Sequence, residues 1–209
     1  MTARRAIAED PNLWQSFKRQ SIQEAVIRLM CRDGLKSVTM ERVAQEVGIA
    51  KGTVYLHYRD KQELLDSVKE SALEPLRTKV DEILRSHIGP ERKLRAYAAR
   101  YLSYFDERRD LFRILLYERE VMRVQGSRYQ TDRYRYLVEQ TARVIREGVR
   151  DGSFRDVDPH MVAAMFVEAV IAIVNQRLLT DRPASLEDDA TLIGDVFVRG
   201  IASGRRSVK

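Results

Sequence analysis

The sequence predicts an all-α protein, and three observations carry that prediction. Apolar residues recur at three- and four-residue intervals, while few segments alternate with period two. Only five prolines and ten glycines interrupt 209 residues. Hydrophobic residues make up 44% and charged residues 33%, a balance suited to helices with one face in a core and the other in water.

Taken in order, residues 1–12 read as a flexible arm. A first helix is predicted over 14–32, where Ile22, Ala25, Val26, Leu29 and Met30 fall at helical spacing and Asp33-Gly34 ends the run. Three short helices follow. The helical pattern resumes over 63–88, with Pro75 marking a kink or break, and Gly89-Pro90 stops it. Further helices are predicted at 91–108, 110–124 and 128–150. Asp151-Gly152 is a turn. Asp158 caps the next helix and Pro159 opens it, carrying it to 179. After a loop at 181–183, Ser185 caps a last helix to about 202, and 204–209 form a frayed tail. There is no internal repeat or low-complexity tract.

Composition narrows the function classes. The net charge is +6, and residues 1–60 hold ten Lys/Arg against seven Asp/Glu. That is compatible with a nucleic-acid partner without establishing one. A single cysteine, Cys31, excludes an internal disulfide framework, and its neighbours Leu29 and Met30 predict a small buried hydrophobe. The first ten residues lack the apolar core of a signal peptide. The longest apolar stretch, 161–174, is broken by Glu168 and reads as too short to span a bilayer, so a soluble cytoplasmic protein is expected. His87 and His160 stand in no metal-ligand spacing. No Gly-rich phosphate loop, G-x-S-x-G elbow, H-E-x-x-H motif or assignable carboxylate pair is present. Neither an enzyme nor a cofactor or metal is expected.

The most informative stretch is 39–61, TMERVAQEVGIAKGTVYLHYRDK. Thr39 can cap a helix, with Glu41 at its positive end. Val43, Ala44 and Val47 give that helix an apolar face, and Ala44 is small enough for a close crossing. Gly48 can adopt the positive φ of a tight interhelical turn. Ile49 and Val54 pin a second helix, only about two turns long, against the first. Lys51, Gly52, Thr53, Tyr55 and Leu56 are left on or near that second helix. Lysine, threonine and tyrosine reach phosphates and base edges, and Gly52 permits close backbone approach. Asp60 and Glu63 have capping-box spacing at the start of a further helix. Lys61 in its first turn is a candidate phosphate clamp. His57 ends the short helix and can serve its carboxyl end as well as a phosphate.

With these residues placed, the chain resembles the TetR family of bacterial regulators. The matching positions are Ala25, Leu29, Gly34, Thr39, Val43-Ala44, Gly48, Lys51-Gly52-Thr53-Val54-Tyr55, His57-Tyr58, Lys61 and Leu64-Leu65. A looser match runs from Glu147-Gly148 through 151–155 to Asp158-Pro159. The resemblance implies a three-helix DNA-binding head at 13–62 with its helix-turn-helix at 40–59, and a helical ligand-binding and dimerisation body at 63–205. It implies a recognition helix at about 50–56. It also implies that Thr39, Lys51, Thr53, Tyr55, His57 and Lys61 face DNA. Ala50 departs from the pattern where serine is common, removing a cap worth about 1 kcal/mol. Met30 and Tyr58 replace phenylalanines.

The body offers two further features. Seven of nine tyrosines lie between 97 and 136. Tyr97, Tyr101 and Tyr104 share a helical stripe with Phe105 nearby, and Phe112 and Tyr117 follow. Buried tyrosines need hydroxyl partners, so the cluster reads either as an aromatic-lined pocket, with Met165 and Phe166 on its far wall, or as packing between helices. Nearby arginines (113, 119, 123, 128, 133 and 135) suit an anionic acyl or aromatic effector or a plain solvated face, and tyrosine faces also suit a cation. The apolar helices at 159–179 and 186–202 predict a homodimer through a four-helix bundle, with Val167, Val170, Val174, Leu192, Val196, Phe197 and Gly200 at the interface. The expected function is a repressor released from operator DNA by a small-molecule effector. The alternative is a same-fold nucleoid or division factor acting through a protein partner.

Overall fold

The computed structural model describes residues 11–112, 128–180 and 185–203. The helix expected at 110–124 lies outside these residues beyond 112, as do the arm up to residue 10, the loop at 181–184 and the tail from 204. Tyr117 and the side chains of the arginines at 113, 119, 123, 128 and 133 lie outside as well. The described chain is all-α. It comprises α1 (Pro11–Asp33), a 3-10 turn (Leu35–Ser37), α2 (Met40–Val47), α3 (Lys51–His57), α4 (Lys61–Arg85), α5 (Pro90–Glu107), α6 (Arg128–Asp151), α7 (Pro159–Leu179) and α8 (Leu186–Ile201). It divides into two compact units, Met1–Glu74 and Pro75–Lys209.

Local chemistry sets most of these limits. Helix α1 is described from Pro11, earlier than the apolar periodicity suggests. The Thr39 hydroxyl accepts a 3.1 Å bond from the Arg42 N–H and caps α2. Asp158 accepts from the His160 and Met161 amides at the start of α7. Ser185 and Asp188 form a reciprocal capping box on α8. At Pro75, where a kink or break is expected, the chain does not leave the helix: α4 runs through it for 25 residues.

The core of the first unit is the inner stripe of α1 (Ile22, Ala25, Val26, Leu29 and Met30) with Val38, Val43, Ala44, Val54, Tyr58, Leu64, Leu65 and Val68, all buried. Glu46 on α2 bonds both Arg28 and Arg32 on α1, which clamps the two helices at their edge. Cys31 is exposed, contrary to the expectation of a buried thiol. It follows Met30 by one residue, and 100° of rotation carries it off the inner stripe.

In the second unit α5 packs against α6, α7 and α8, and α6 against α7. Among the described residues, two of the ion pairs in this packing involve a buried charge. Lys93, buried, reaches Glu147 at 2.7 Å, and Arg177 reaches the buried Asp189 at 2.8 Å. The α6–α7 connection folds back through Phe154, whose amide donates to the Gly148 carbonyl at 2.8 Å. Arg155 N–H donates to the Ile201 carbonyl, tying this connection to the end of α8.

Helix α7 is 21 residues long, so by length and composition it could cross a bilayer, and the sequence-based argument from shortness does not hold. Ala163, Phe166, Val167, Val170, Val174 and Leu178 instead bury one side of it in the body.

Gly148 is where this packing is least forgiving. A Cβ there would lie 2.2 Å from the Phe154 ring, and Phe154 is buried. Gly148→Ala should therefore cost about 1–3 kcal/mol through overpacking. Chemical denaturation followed by circular dichroism measures it. Adding Phe154→Leu should restore part of the loss, and a stable Gly148→Ala single variant would contradict the assignment.

Candidate nucleic-acid interface and body site

The head builds its outward face from a fixed turn. Gly48 ends α2 at φ 78° and ψ 35°, a left-handed conformation that costs glycine little, and its amide donates to the Ala44 and Gln45 carbonyls. The chain leaves this turn to enter α3, where Val54 is wholly buried against α2. Ala50 stands at the N-cap of α3 and provides no side-chain cap.

The sequence-predicted residues then sort by position. Lys51, Gly52 and Tyr55 are exposed on α3, and Thr53 and His57 are half-buried. The Lys51 ammonium lies 4.0 Å from Glu41 of α2, both well exposed, so the pair is weak and leaves the ammonium available. Thr39 is exposed, with its oxygen already accepting from Arg42. Lys61 is half-buried at the start of α4, and its ammonium donates a long 3.4 Å bond to the Leu35 carbonyl. Behind it Asp60 accepts from the Glu63 amide at 2.9 Å, while Glu63 accepts from the Arg59 amide at 2.7 Å, one residue before the position a capping box uses.

His57 is held below the ordinary histidine range by burial first, then by the charges of Arg19 and Lys18. It is therefore neutral at pH 7 and acts as a hydrogen-bonding group there. Leu56 was not singled out as a contact residue, yet it is 84% exposed.

In the body the aromatic residues do come together. Tyr97 meets Tyr101 at 5.7 Å and Phe166 at 5.4 Å, both edge-on. Tyr101 stacks on Phe105 at 5.0 Å, Phe105 meets Phe112 at 4.2 Å, and Tyr104 meets Phe112 at 5.9 Å. Phe197 reaches Phe166 edge-on at 5.4 Å, so it faces this cluster rather than lying fully outward. Met165 does not join: it is 56% exposed on α7, one residue before the wholly buried Phe166. Tyr97 is 0% exposed and its hydroxyl has no hydrogen-bond partner among the described residues. That burial pushes it well above the usual tyrosine range. A shallow cleft of about 10 Å³, room for little more than one water molecule, lies alongside, lined by Leu102, Phe105, Asp106, Val174, Arg177 and Leu178.

The expected dimer residues divide. Val167, Val170 and Val174 are buried within the chain's own core, so they cannot meet a partner directly. Leu192, Val196 and Gly200 are exposed at four-residue spacing on α8, and Met161 and Met165 are exposed at the same spacing on α7.

This geometry defines a helix-turn-helix head joined to an all-helical body. Residues 22–68 match the model of bacterial regulatory proteins of the tetR family, and residues 87–175 match the tetracycline repressor-like C-terminal domain. The chain belongs to the TetR family of helix-turn-helix transcription regulators. It is 21% identical over 186 residues to the uncharacterised HTH-type transcriptional regulator YhgD of Bacillus subtilis, covering 89% of this chain and 97% of that one. It is 26% identical over 157 residues to the HTH-type transcriptional repressor KstR2 of Rhodococcus jostii, covering 71% and 74%. A TetR transcription regulator from Haloarcula marismortui shares its fold with a TM-score of 0.76, at 22% identity over 90% of this chain and 99% of that one.

Proposed function

We propose that the protein is a repressor that binds operator DNA as a homodimer and is released by a small-molecule effector. The observation that carries the DNA part is the outward face of α3, which presents Lys51, Gly52 and Tyr55 from a helix seated on Val54. Thr39, Thr53, His57 and Lys61 flank them as phosphate and groove contacts. KstR2, named a transcriptional repressor, is the relative that favours this sign of regulation.

Assembly rests on the stripe of Met161, Met165, Leu192, Val196 and Gly200 on the two neighbouring helices α7 and α8. Val196 is 61% exposed, and exposed apolar residues repeated along neighbouring helices favour a contact surface over a solvent face. A two-fold pairing across it presents two copies of α3 to successive major grooves, about 34 Å apart.

The effector reading rests on Tyr97. A hydroxyl buried without a partner costs about 1–3 kcal/mol, which a ligand oxygen accepting its hydrogen would recover. The surrounding rings suit an acyl-chain or aromatic molecule carrying a polar head. Such a ligand lowers operator affinity by favouring one head arrangement over another.

Three outcomes follow. Lys51→Ala and Tyr55→Ala should each weaken binding to a duplex enriched from a random-sequence pool by about tenfold, with unchanged circular dichroism; gel shift measures this, and equal affinities would remove α3 from the interface. Val196→Asp should shift the mass seen by light scattering from twice the 24.3 kDa chain toward the single chain at low micromolar concentration; a monomeric parent protein refutes the dimer. In a thermal-shift screen of fatty acids, acyl-CoA compounds, aromatic acids and cationic dyes, hits should stabilise the parent protein more than Tyr97→Phe. Equal shifts would put the effector site elsewhere.

A further inference from the structure

Helix α3 turns one face away from the protein, and its composition is unusual. At 100° per residue, the side opposite the buried Val54 is shared by Gly52 and Leu56, which stand four residues apart and therefore in line. Tyr55, 48% exposed, lies beside them, and Lys51 lies at the entrance of the helix. Leu56 is the most exposed large apolar side chain among the described residues. The backbone that carries it is anchored, because Val54 and Tyr58 on either side of it are buried.

Gly52 is equally unexplained from within. Its φ is not in the left-handed region, and a Cβ built on it would meet nothing within 4 Å. No close contact among the described residues requires glycine there, although glycine weakens a helix relative to alanine. A bare patch of backbone next to an exposed leucine makes sense if another surface approaches α3 closely at Gly52 and offers Leu56 something apolar.

In the major groove the only apolar group among the base edges is the C5-methyl of thymine. Resting on the reading of α3 as the recognition helix, we propose that Leu56 reads a thymine by packing on its C5-methyl, with Gly52 letting the helix backbone come close enough for the contact. Lys51 and Tyr55 supply polar contacts around it. Leu56 is thereby a specificity residue, one that distinguishes thymine from cytosine at one position of each half-site.

The test removes the methyl group from the base on one side of the contact and the isopropyl group from the leucine on the other. The full-length protein selects a duplex from a random-sequence pool, and each half-site thymine is then replaced in turn by deoxyuridine, which differs only by that methyl. Affinities of the parent protein and Leu56→Ala are measured by fluorescence anisotropy, and circular dichroism checks that the variant is folded. One thymine per half-site should cost the parent protein about fourfold on replacement, the worth of one buried methyl. The same replacement should cost Leu56→Ala almost nothing. Equal losses in both proteins at every position, or no loss in either, overturn the thymine assignment while leaving operator binding intact. A pool that yields no enriched duplex overturns operator binding, and the thymine assignment with it.

Discussion

Burial of Val54 against α2 is the contact on which the outward chemistry of the head depends. A helix of seven residues has too few turns to hold an orientation by itself. One fixed side chain sets its rotation, and that rotation decides which residues face out. The left-handed turn at Gly48 brings α3 to the place where Val54 can be buried, and small Ala44 lies buried beside that crossing. Remove the seat and Lys51, Gly52, Tyr55 and Leu56 no longer share a defined face. The specificity of the head is thus a property of an apolar contact on its inner side.

The body solves a different problem. Its helices carry many charges, and some must be taken inside. Lys93 and Asp189 are buried, and each meets an opposite charge at hydrogen-bond distance. Such pairs contribute little net stability, because desolvation offsets most of the attraction. They do penalise any register of the helices in which a charge loses its partner. Phe154 adds a steric constraint of the same kind, locking the α6–α7 connection over Gly148.

What could be read from the sequence follows from where signals are local. Thr39, Asp158 and Ser185 cap their helices through bonds to residues two or three positions away, so residue type and spacing suffice to find them. Gly48 is legible for the same reason. The phase of α7 is not. Its residues are apolar on nearly every side, so the pattern cannot tell the side facing α5 and α6 from the side left open. Val167, Val170 and Val174 therefore read as interface residues although they fill the core, and Met165 read as a pocket wall although it faces out. On α8, with more polar residues between the apolar ones, Leu192 and Val196 were legible as an outer stripe. Leu56 was placed on the short helix but given no contact role, because an exposed leucine carries no motif. Only its position opposite Val54 gives it meaning.

The bare helix position at Gly52 also bears on how this chain can change over generations. Its backbone has ordinary helical geometry and open space around it, so alanine there would stabilise the head by roughly 0.5–1 kcal/mol. Selection for thermal robustness alone would favour that replacement, while selection for gene control would oppose it if the groove needs the room. On the proposed reading of α3, glycine at this position trades folding stability for recognition, on a helix of only seven residues.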